Sequence, residues 1–389
     1  MRKIFCLLLG SLLSLVAMQG QTEGNRYEVT GFMPTYTEQM KQLLSYPLAW
    51  QNAGIEDFGV WREQARQKVY DLMQNLPPAP EAYDMQVMTE EQRDGYVAQR
   101  IELNLSQFYR IPAYLLLPDG AKTSTAQNYP AVVLLHDHGA KFTIGKEKMI
   151  RPIGASQEVM ADAEDWAKRN YDSQFFGDYL AQHGYVVLSI DAIYWGERGR
   201  KEGPVYEVQQ ALAHNFLSMG ACWSAWINID DVRSVDFLAS LPMVDAKRIG
   251  CCGHSMGSYR SWMLSALTDK VAASANVCWM VTTDVQMSLA NTGNKGGSGY
   301  SMLIPGLRCW MDYPHIASIA CPKPTLFYNG RQDKLFPVEG VEAAYQTMRE
   351  VWESQGASDR LTTQLWDGPH FFSRPMQEEV LHFFDRWLR

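Results

Sequence analysis

The pentapeptide Gly253-His254-Ser255-Met256-Gly257 restricts the backbone more than any other segment of this sequence. It follows the apolar run 248–252, which is typical of a strand, and it opens the helical pattern 256–267. Glycines two residues before and two residues after a serine permit a sharp strand-to-helix turn, which lifts the serine side chain above a sheet edge, toward the helix N-terminus. A tight turn that merely contains a serine is the alternative. The flanking elements favour the first interpretation.

Strand and helix patterns alternate over most of the chain. Continuous apolar runs at 130–135 and 185–190 are typical of strands buried on both faces. Such a chain forms an α/β fold with a mostly parallel central sheet and helices on both faces, preceded here by an antiparallel strand pair at 96–105 and 111–117. Further strands are predicted at 271–279, 324–328 and 361–366, and further helices at 165–183, 338–355 and 375–388. The segment 208–241 is predicted to form one long helix or two consecutive helices.

A base and an acid that could activate Ser255 follow later strands. A serine hydroxyl becomes a good nucleophile only when a base removes its proton. His370 follows the last predicted strand, and Asp333 follows the strand before it. The order Ser255, Asp333, His370 is the hydrolase order of serine, acid and histidine. Asp284, after the preceding strand, is the competing acid; Asp367 lies too close to His370 in sequence, and a solvent-facing loop histidine is the alternative for His370.

Two backbone N–H groups are predicted to form an oxyanion hole. One belongs to Met256, directly after the serine, and the other by position to His138, in the loop that follows strand 130–135. The pair His136 and His138 could also bind a metal ion, but no third and fourth ligands are evident. We therefore predict neither a metal nor a cofactor.

Large and charged residues at the carboxyl ends of predicted strands are candidates for substrate binding. Trp195, Glu197 and Arg198 follow the strand that ends at residue 190, and Trp279 ends a later strand. Aromatic faces suit sugar rings or acyl groups, and a charged pair could bind a polar substrate. Packing by the tryptophans and bracing of the loop by the charged pair are the alternatives.

The chain divides into three predicted parts. Residues 1–20 have two basic residues, an apolar run and small or polar residues after it, which is the layout of a signal peptide. Residues 21–94 are predicted to be an N-terminal helical extension, and 95–389 the catalytic domain, in which 282–320 is a candidate lid or pocket insertion. The mature protein is expected to be exported, periplasmic or extracellular, with no stable membrane insertion because no other run is long enough.

Charge and cysteine usage exclude several classes of protein. The net charge of −8 argues against nucleic acid as a partner. Six cysteines follow the signal peptide without the spacing of a zinc or redox site, and they are too few for a disulfide scaffold. Cys251, Cys252 and Cys278 lie in apolar runs and are predicted to be buried thiols.

The pentapeptide, the Asp333 loop and His370 resemble those of the α/β-hydrolase superfamily. Segments 136–141, 195–198, 301–306 and 333–337 further resemble a family of exported bacterial hydrolases described as acetyl xylan esterase-like or dienelactone hydrolase-like. The resemblance covers nearly the whole mature chain and implies the α/β-hydrolase fold and a Ser-His-Asp triad. It does not imply a particular substrate.

These observations predict a serine carboxylic-ester hydrolase that removes small acyl groups, acetyl above all, from glycans. Its partner would be a small-molecule or glycan ester. A serine peptidase is the alternative, although related peptidases usually carry a large extra domain, for which the N-terminal extension is too short. A non-catalytic binding module is a third hypothesis, and the complete set of triad residues speaks against it.

Overall fold

The computed structural model describes residues 28–31, 33–126, 128–288 and 299–389. The predicted signal peptide and most of the glycine-rich stretch 294–300 lie outside the described residues. None of the described helices is both long and apolar enough to cross a membrane.

A nine-stranded sheet forms the centre of the molecule, in the order β11-β10-β9-β8-β6-β7-β5-β4-β3. Strands β6 to β11 are parallel to one another, whereas β5 pairs antiparallel with β7 and with β4, and β4 pairs antiparallel with β3. The prediction of a mostly parallel sheet with an antiparallel pair is confirmed. The strands of this sheet are β3 (Gln86–Arg93), β4 (Tyr96–Ser106), β5 (Tyr109–Pro118), β6 (Tyr129–Leu135), β7 (Val186–Ile190), β8 (Val244–His254), β9 (Ala273–Val277), β10 (Thr325–Gly330) and β11 (Leu361–Trp366). A separate two-stranded sheet pairs β1 (Val29–Thr30) with β2 (Met33–Pro34).

Helices cover both faces of the sheet. The helices are α1 (Thr37–Lys41), α2 (Phe58–Met73), α3 (Gln157–Asn170), α4 (Phe176–Gln182), α5 (Val208–Ser218), α6 (Trp223–Ser240), α7 (Met256–Leu267), α8 (Thr283–Gln286), α9 (Tyr313–Ala317), α10 (Val338–Ser354) and α11 (Arg374–Leu388). Along β6, Val133 belongs to the core cluster that includes residues of α2, α6, α7 and α10, whereas Val132 belongs to the cluster on the other face, with residues of α3, α4 and α11. Successive residues of a strand point to opposite faces, so a strand buried on both sides is apolar at every position.

The N-terminal segment is only partly helical. Helix α2 begins where the Asp57 carboxylate accepts the N–H of Val60 at 2.9 Å, and it buries Trp61 against the sheet core. The prediction of helix up to residue 94 is wrong for β3, which is an edge strand of the main sheet. Its side chains are largely exposed and polar, so it lacks an apolar pattern. The signal that could have identified it is Asp94-Gly95, a typical hairpin turn in which Gly95 has φ +83°.

Two predicted helical segments each form two helices in the structure, which for 208–241 agrees with the two-helix alternative. The pattern 165–183 spans the end of α3 and the whole of α4, which are separated where Asp172 and Ser173 take positive φ. The pattern 208–241 forms α5 and α6, separated at Gly220, which has φ +67°. A left-handed residue cannot continue a right-handed helix, so the chain changes direction at both points.

The described parts of the 282–320 connection are packed on the main body. They contain α8, α9 and short helical turns, and Ile304, Met311 and Ile316 belong to the same core cluster as α7.

Candidate active site

Ser255 occupies a strained turn between β8 and α7. Its backbone has φ +56° and ψ −124°, and its N–H donates to the carbonyl of Val277 at 2.8 Å. A Cβ atom on Gly257 would lie 1.8 Å from the carbonyl oxygen of Leu135, and one on Gly253 would lie 2.2 Å from the carbonyl carbon of Gly257. Only glycine fits at both positions, so the sequence pattern is explained by close backbone contact. Such a strained serine turn is typical of a nucleophile elbow.

The structure brings His370 and Asp333 together. Because β10 and β11 are neighbouring parallel strands, the loops that follow them lie side by side. Nδ1 of His370 lies 2.7 Å from Oδ2 of Asp333, whose side chain is fully buried. The other carboxylate oxygen accepts the N–H of Leu335 at 2.8 Å. Since a carboxylate accepts hydrogen bonds, Nδ1 carries the hydrogen and Nε2 is left as a base.

The imidazole of His370 lies against the elbow. Its ring centroid is 4.9 Å from that of His254, the residue before Ser255, and the Phe336 ring stacks on it at 6.0 Å. The two competing carboxylates have other partners: Asp284 is largely exposed and pairs with Lys41, and Asp367 accepts from Gln332. The three predicted triad residues therefore share one edge of the sheet.

Two histidines near the strand ends have lowered pKa values. His254 is 2% exposed, and neither of its ring nitrogens has a hydrogen-bond partner among the described residues. Burial, with a smaller contribution from the neighbouring His370, lowers its pKa to about 3. Burial also lowers the pKa of His138 to about 4, although Gln209 acts in the opposite direction. Both rings are therefore neutral near pH 7.

The loop after β6 has a defined hydrogen-bond pattern. Nδ1 of His136 donates to the carbonyl of Asp137 at 2.9 Å, and Nε2 accepts the N–H of Ala192 at 2.9 Å. Both ring nitrogens of His136 are occupied, so the alternative of a metal pair with His138 does not fit. The His138 ring is held between the N–H of Ala140 and the side chain of Gln209. The backbone N–H of His138 has no acceptor among the described residues. The Met256 N–H, at the start of α7, is a helix N-terminal donor.

Two other groups of side chains have the composition of a metal site. Glu147, Asp191 and Glu197 lie close together, but Nζ of Lys146 is within 2.8 Å of a carboxylate oxygen of each and supplies the positive charge. In the group of His254, Cys278 and His370, Nδ1 of His370 is hydrogen-bonded to Asp333.

The six described cysteines are free thiols, and the predicted burial of Cys251, Cys252 and Cys278 is confirmed.

The four residues predicted to bind substrate have partners within the protein, and Glu197 alone among them is exposed. Trp195 is fully buried, and its Nε1 donates to the carbonyl of His138 at 3.0 Å. Trp279 is 1% exposed. Glu197 accepts from Lys146 and Arg100, and Arg198 pairs with the buried Asp230 at 2.8 Å. These contacts agree with the packing and bracing alternatives that the sequence left open.

An exposed aromatic residue near the site was missed by sequence reasoning. Tyr206 is 54% exposed, and its ring lies 6.4 Å from that of His138 and 6.2 Å from that of Phe142. It lies in an irregular loop before α5, where no periodic pattern marks it. The buried Lys148, which contacts the 137–138 carbonyls, was also missed.

Comparison with known proteins gives consistent results. The model of the Abhydrolase family matches residues 17–355, a range that includes Ser255 and Asp333. The Bacillus subtilis (strain 168) hydrolase YtaP is 27% identical over 330 residues, covering 84% of this chain and all of that protein.

Solved structures share the fold at low sequence identity. A Bacteroides fragilis protein described as an acetyl xylan esterase has a TM-score of 0.68 at 16% identity, with 89% of this chain and 84% of that chain covered. A glucuronoyl esterase from Solibacter usitatus has a TM-score of 0.56 at 14% identity, with 87% and 93% covered. The sheet order, the elbow and the family match agree. The chain belongs to the Abhydrolase family and has the α/β-hydrolase fold.

Proposed function

We propose that this protein is a serine carboxylic-ester hydrolase that removes small acyl groups, acetyl above all, from glycans. The observation that carries the proposal is the 2.7 Å contact between His370 Nδ1 and Asp333 Oδ2, with Ser255 in an adjacent glycine-flanked elbow. A base with its tautomer fixed beside a strained serine is the arrangement that acyl transfer through a covalent intermediate requires.

The geometry supports a two-step mechanism. The oxygen of Ser255 attacks the ester carbonyl carbon while Nε2 of His370 takes the hydroxyl proton, and Asp333 stabilises the resulting imidazolium. The backbone N–H groups of Met256 and His138 bind the oxyanion. Collapse expels the alcohol, which receives the proton from His370. Water then attacks the acyl-enzyme with the same base, releasing the carboxylic acid and restoring Ser255.

Two observations support a carbohydrate ester as the substrate. The structures that share the fold include proteins described as acetyl xylan and glucuronoyl esterases. The exposed ring of Tyr206, beside the His138 loop, offers an apolar face of the kind on which a sugar ring stacks. Export through residues 1–20 would place the enzyme with extracellular or periplasmic polysaccharide.

A substrate panel tests the proposal. Wild type and Ser255→Ala are assayed on chromogenic esters from acetyl to octanoyl, on acetylated xylan and on a peptide amide. Wild type is expected to prefer acetyl esters, and the variant to lose at least ~10³-fold in kcat with an unchanged circular dichroism spectrum. Ser265→Ala is the matched control, because this buried serine lies on the helix that begins at Met256 and its hydroxyl has no partner among the described residues.

Three outcomes would contradict the proposal. Peptide cleavage without ester hydrolysis would indicate the serine peptidase, and retention of most activity in Ser255→Ala would exclude the mechanism. Absence of turnover in wild type on every substrate would favour a non-catalytic binding module.

A further inference from the structure

Lys148 is a fully buried lysine directly behind the proposed oxyanion loop. Its Nζ lies 2.9 Å from the carbonyl oxygen of Asp137, 3.0 Å from that of His138 and 3.4 Å from Oδ1 of Asp137. These three acceptors match the three hydrogens of an ammonium group. Burial of a charged group is unfavourable unless it is fully hydrogen-bonded, so the buried Lys148 ammonium requires the loop carbonyls in these positions.

Each of the two backbone carbonyls also has a second donor. The carbonyl of Asp137 accepts from His136 Nδ1 at 2.9 Å as well as from Lys148. The carbonyl of His138 accepts from Trp195 Nε1 at 3.0 Å as well as from Lys148. Both lone pairs of each oxygen are therefore used, and the two peptide planes are held in fixed orientations.

The orientation of these carbonyls determines where the neighbouring N–H groups point. In a trans peptide the C=O and N–H bonds are antiparallel. The Asp137–His138 peptide directs its oxygen at Lys148, so the N–H of His138 points away from the lysine. The His138–Gly139 peptide also directs its oxygen at Lys148, so the N–H of Gly139 points away from the lysine as well. Neither N–H has an acceptor among the described residues, and successive N–H groups directed to one side form an anion-binding concavity.

We propose that Lys148 is a positioning residue of the ester hydrolase: by fixing the carbonyls of residues 137 and 138, it holds the N–H groups of His138 and Gly139 in the direction of the oxyanion. The inference rests on the proposed function and adds a residue to its machinery. Lys148 acts through the peptide groups and does not contact the substrate.

The surrounding charges favour orientation over a direct electrostatic effect. The carboxylate of Asp137 lies beside the Lys148 ammonium, so the pair carries no net charge. The other carboxylate oxygen of Asp137 accepts from Trp166 Nε1 at 3.0 Å and from the Tyr171 hydroxyl at 2.7 Å, which anchors the loop to α3 and to the residue that follows this helix. A neutral, fully bonded pair supplies rigidity and adds little to the field at the oxyanion.

A second lysine of the chain provides a matched control. Lys323 Nζ also donates to two backbone carbonyls, those of Ser265 and Thr268, each at 2.7 Å. These carbonyls lie at the C-terminal end of α7, the end opposite Ser255. Replacing either lysine by methionine removes the same kind of interaction, but only Lys148 contacts the oxyanion loop.

The test compares Lys148→Met, Lys323→Met and wild type in hydrolysis of an acetyl ester and in binding of phenylboronic acid, whose serine adduct is a tetrahedral anion. For Lys148→Met we expect kcat to fall about 10- to 100-fold with KM within about twofold, and boronate affinity to fall by a similar factor. A lost transition-state interaction gives this pattern, whereas general destabilisation does not. For Lys323→Met we expect a lower melting temperature with kcat and boronate affinity unchanged.

A folded Lys148→Met variant with kcat and boronate affinity within twofold of wild type would overturn the inference, as would equal losses in Lys323→Met. If Lys148→Met does not fold, Trp195→Phe is the second test, because it removes the other donor to the His138 carbonyl, frees the peptide that carries the Gly139 N–H and keeps an aromatic ring. The expected result is a roughly tenfold loss of kcat at constant KM, and an unchanged kcat would overturn the inference. Wild-type protein that neither hydrolyses esters nor binds the boronate would instead refute the proposed function itself.

Discussion

Acidification should destabilise the protein in part through His254, next to the proposed nucleophile. The folded environment disfavours its imidazolium, because the ring is buried without an acceptor for a second proton. The neighbouring His370 and Lys148 also lower its pKa, and Asp137 acts in the opposite direction. The pKa in the folded state is about 3, against about 6.5 in an unfolded chain. As the pH is lowered, the unfolded state therefore binds the proton first, and the free energy of unfolding decreases.

The size of this effect follows from the difference between the two states. The contribution of His254 is fully present above pH 6.5 and is lost progressively as the pH falls toward about 3. At pH 5 the unfolded histidine is protonated and the folded one is neutral, and 1.5 pH units correspond to about 2 kcal/mol. This is a large fraction of a typical free energy of unfolding.

Comparison with a variant isolates the contribution of His254 from those of other titrating groups. His254→Phe keeps an aromatic ring but cannot take up a proton. Urea denaturation followed by tryptophan fluorescence at pH 8 and pH 5 should show that the variant loses about 2 kcal/mol less than wild type between the two conditions. His382→Phe, at an exposed histidine, serves as the control and should follow wild type. Identical pH dependence of wild type and His254→Phe would refute the argument.

Two further predictions concern the triad and the elbow. Asp333→Asn should lower kcat/KM on an acetyl ester by ~10³- to 10⁴-fold, because asparagine no longer fixes the His370 tautomer, whereas Asp284→Asn should leave it unchanged; the reverse result would make Asp284 the acid. Gly257→Ala should reduce the free energy of unfolding by about 3 kcal/mol or more in a urea titration, since its Cβ would lie 1.8 Å from a backbone oxygen, and a change below about 1 kcal/mol would show that the elbow tolerates a side chain.

Most of the sheet was predictable because its central strands are buried on both faces. Strand β6 is apolar at nearly every position, and the helices between the parallel strands separate them along the chain. Strand β3 was not predicted, because an edge strand with exposed polar side chains has no apolar pattern. The breaks between α3 and α4 and between α5 and α6 depend on individual residues with positive φ.

The candidate site divides in a similar way. Ser255, Asp333 and His370 could be placed from sequence because each directly follows a recognisable strand. The roles of Trp195 and Arg198 could not be predicted from sequence. They depend on burial and on partners from distant segments, such as the His138 carbonyl and Asp230. Lys148 was missed because its acceptors are backbone carbonyls, which leave no mark in a sequence.

The most direct test of the proposed mechanism is to identify the residue that reacts with an organophosphate. Paraoxon transfers its diethylphosphoryl group to an activated serine and releases 4-nitrophenol, and peptide mapping by mass spectrometry locates the product. The mechanism predicts a single adduct on Ser255, loss of ester hydrolysis in proportion to labelling, and no labelling in His370→Ala. An adduct on another residue that abolishes activity, or full activity with Ser255 modified, would contradict it.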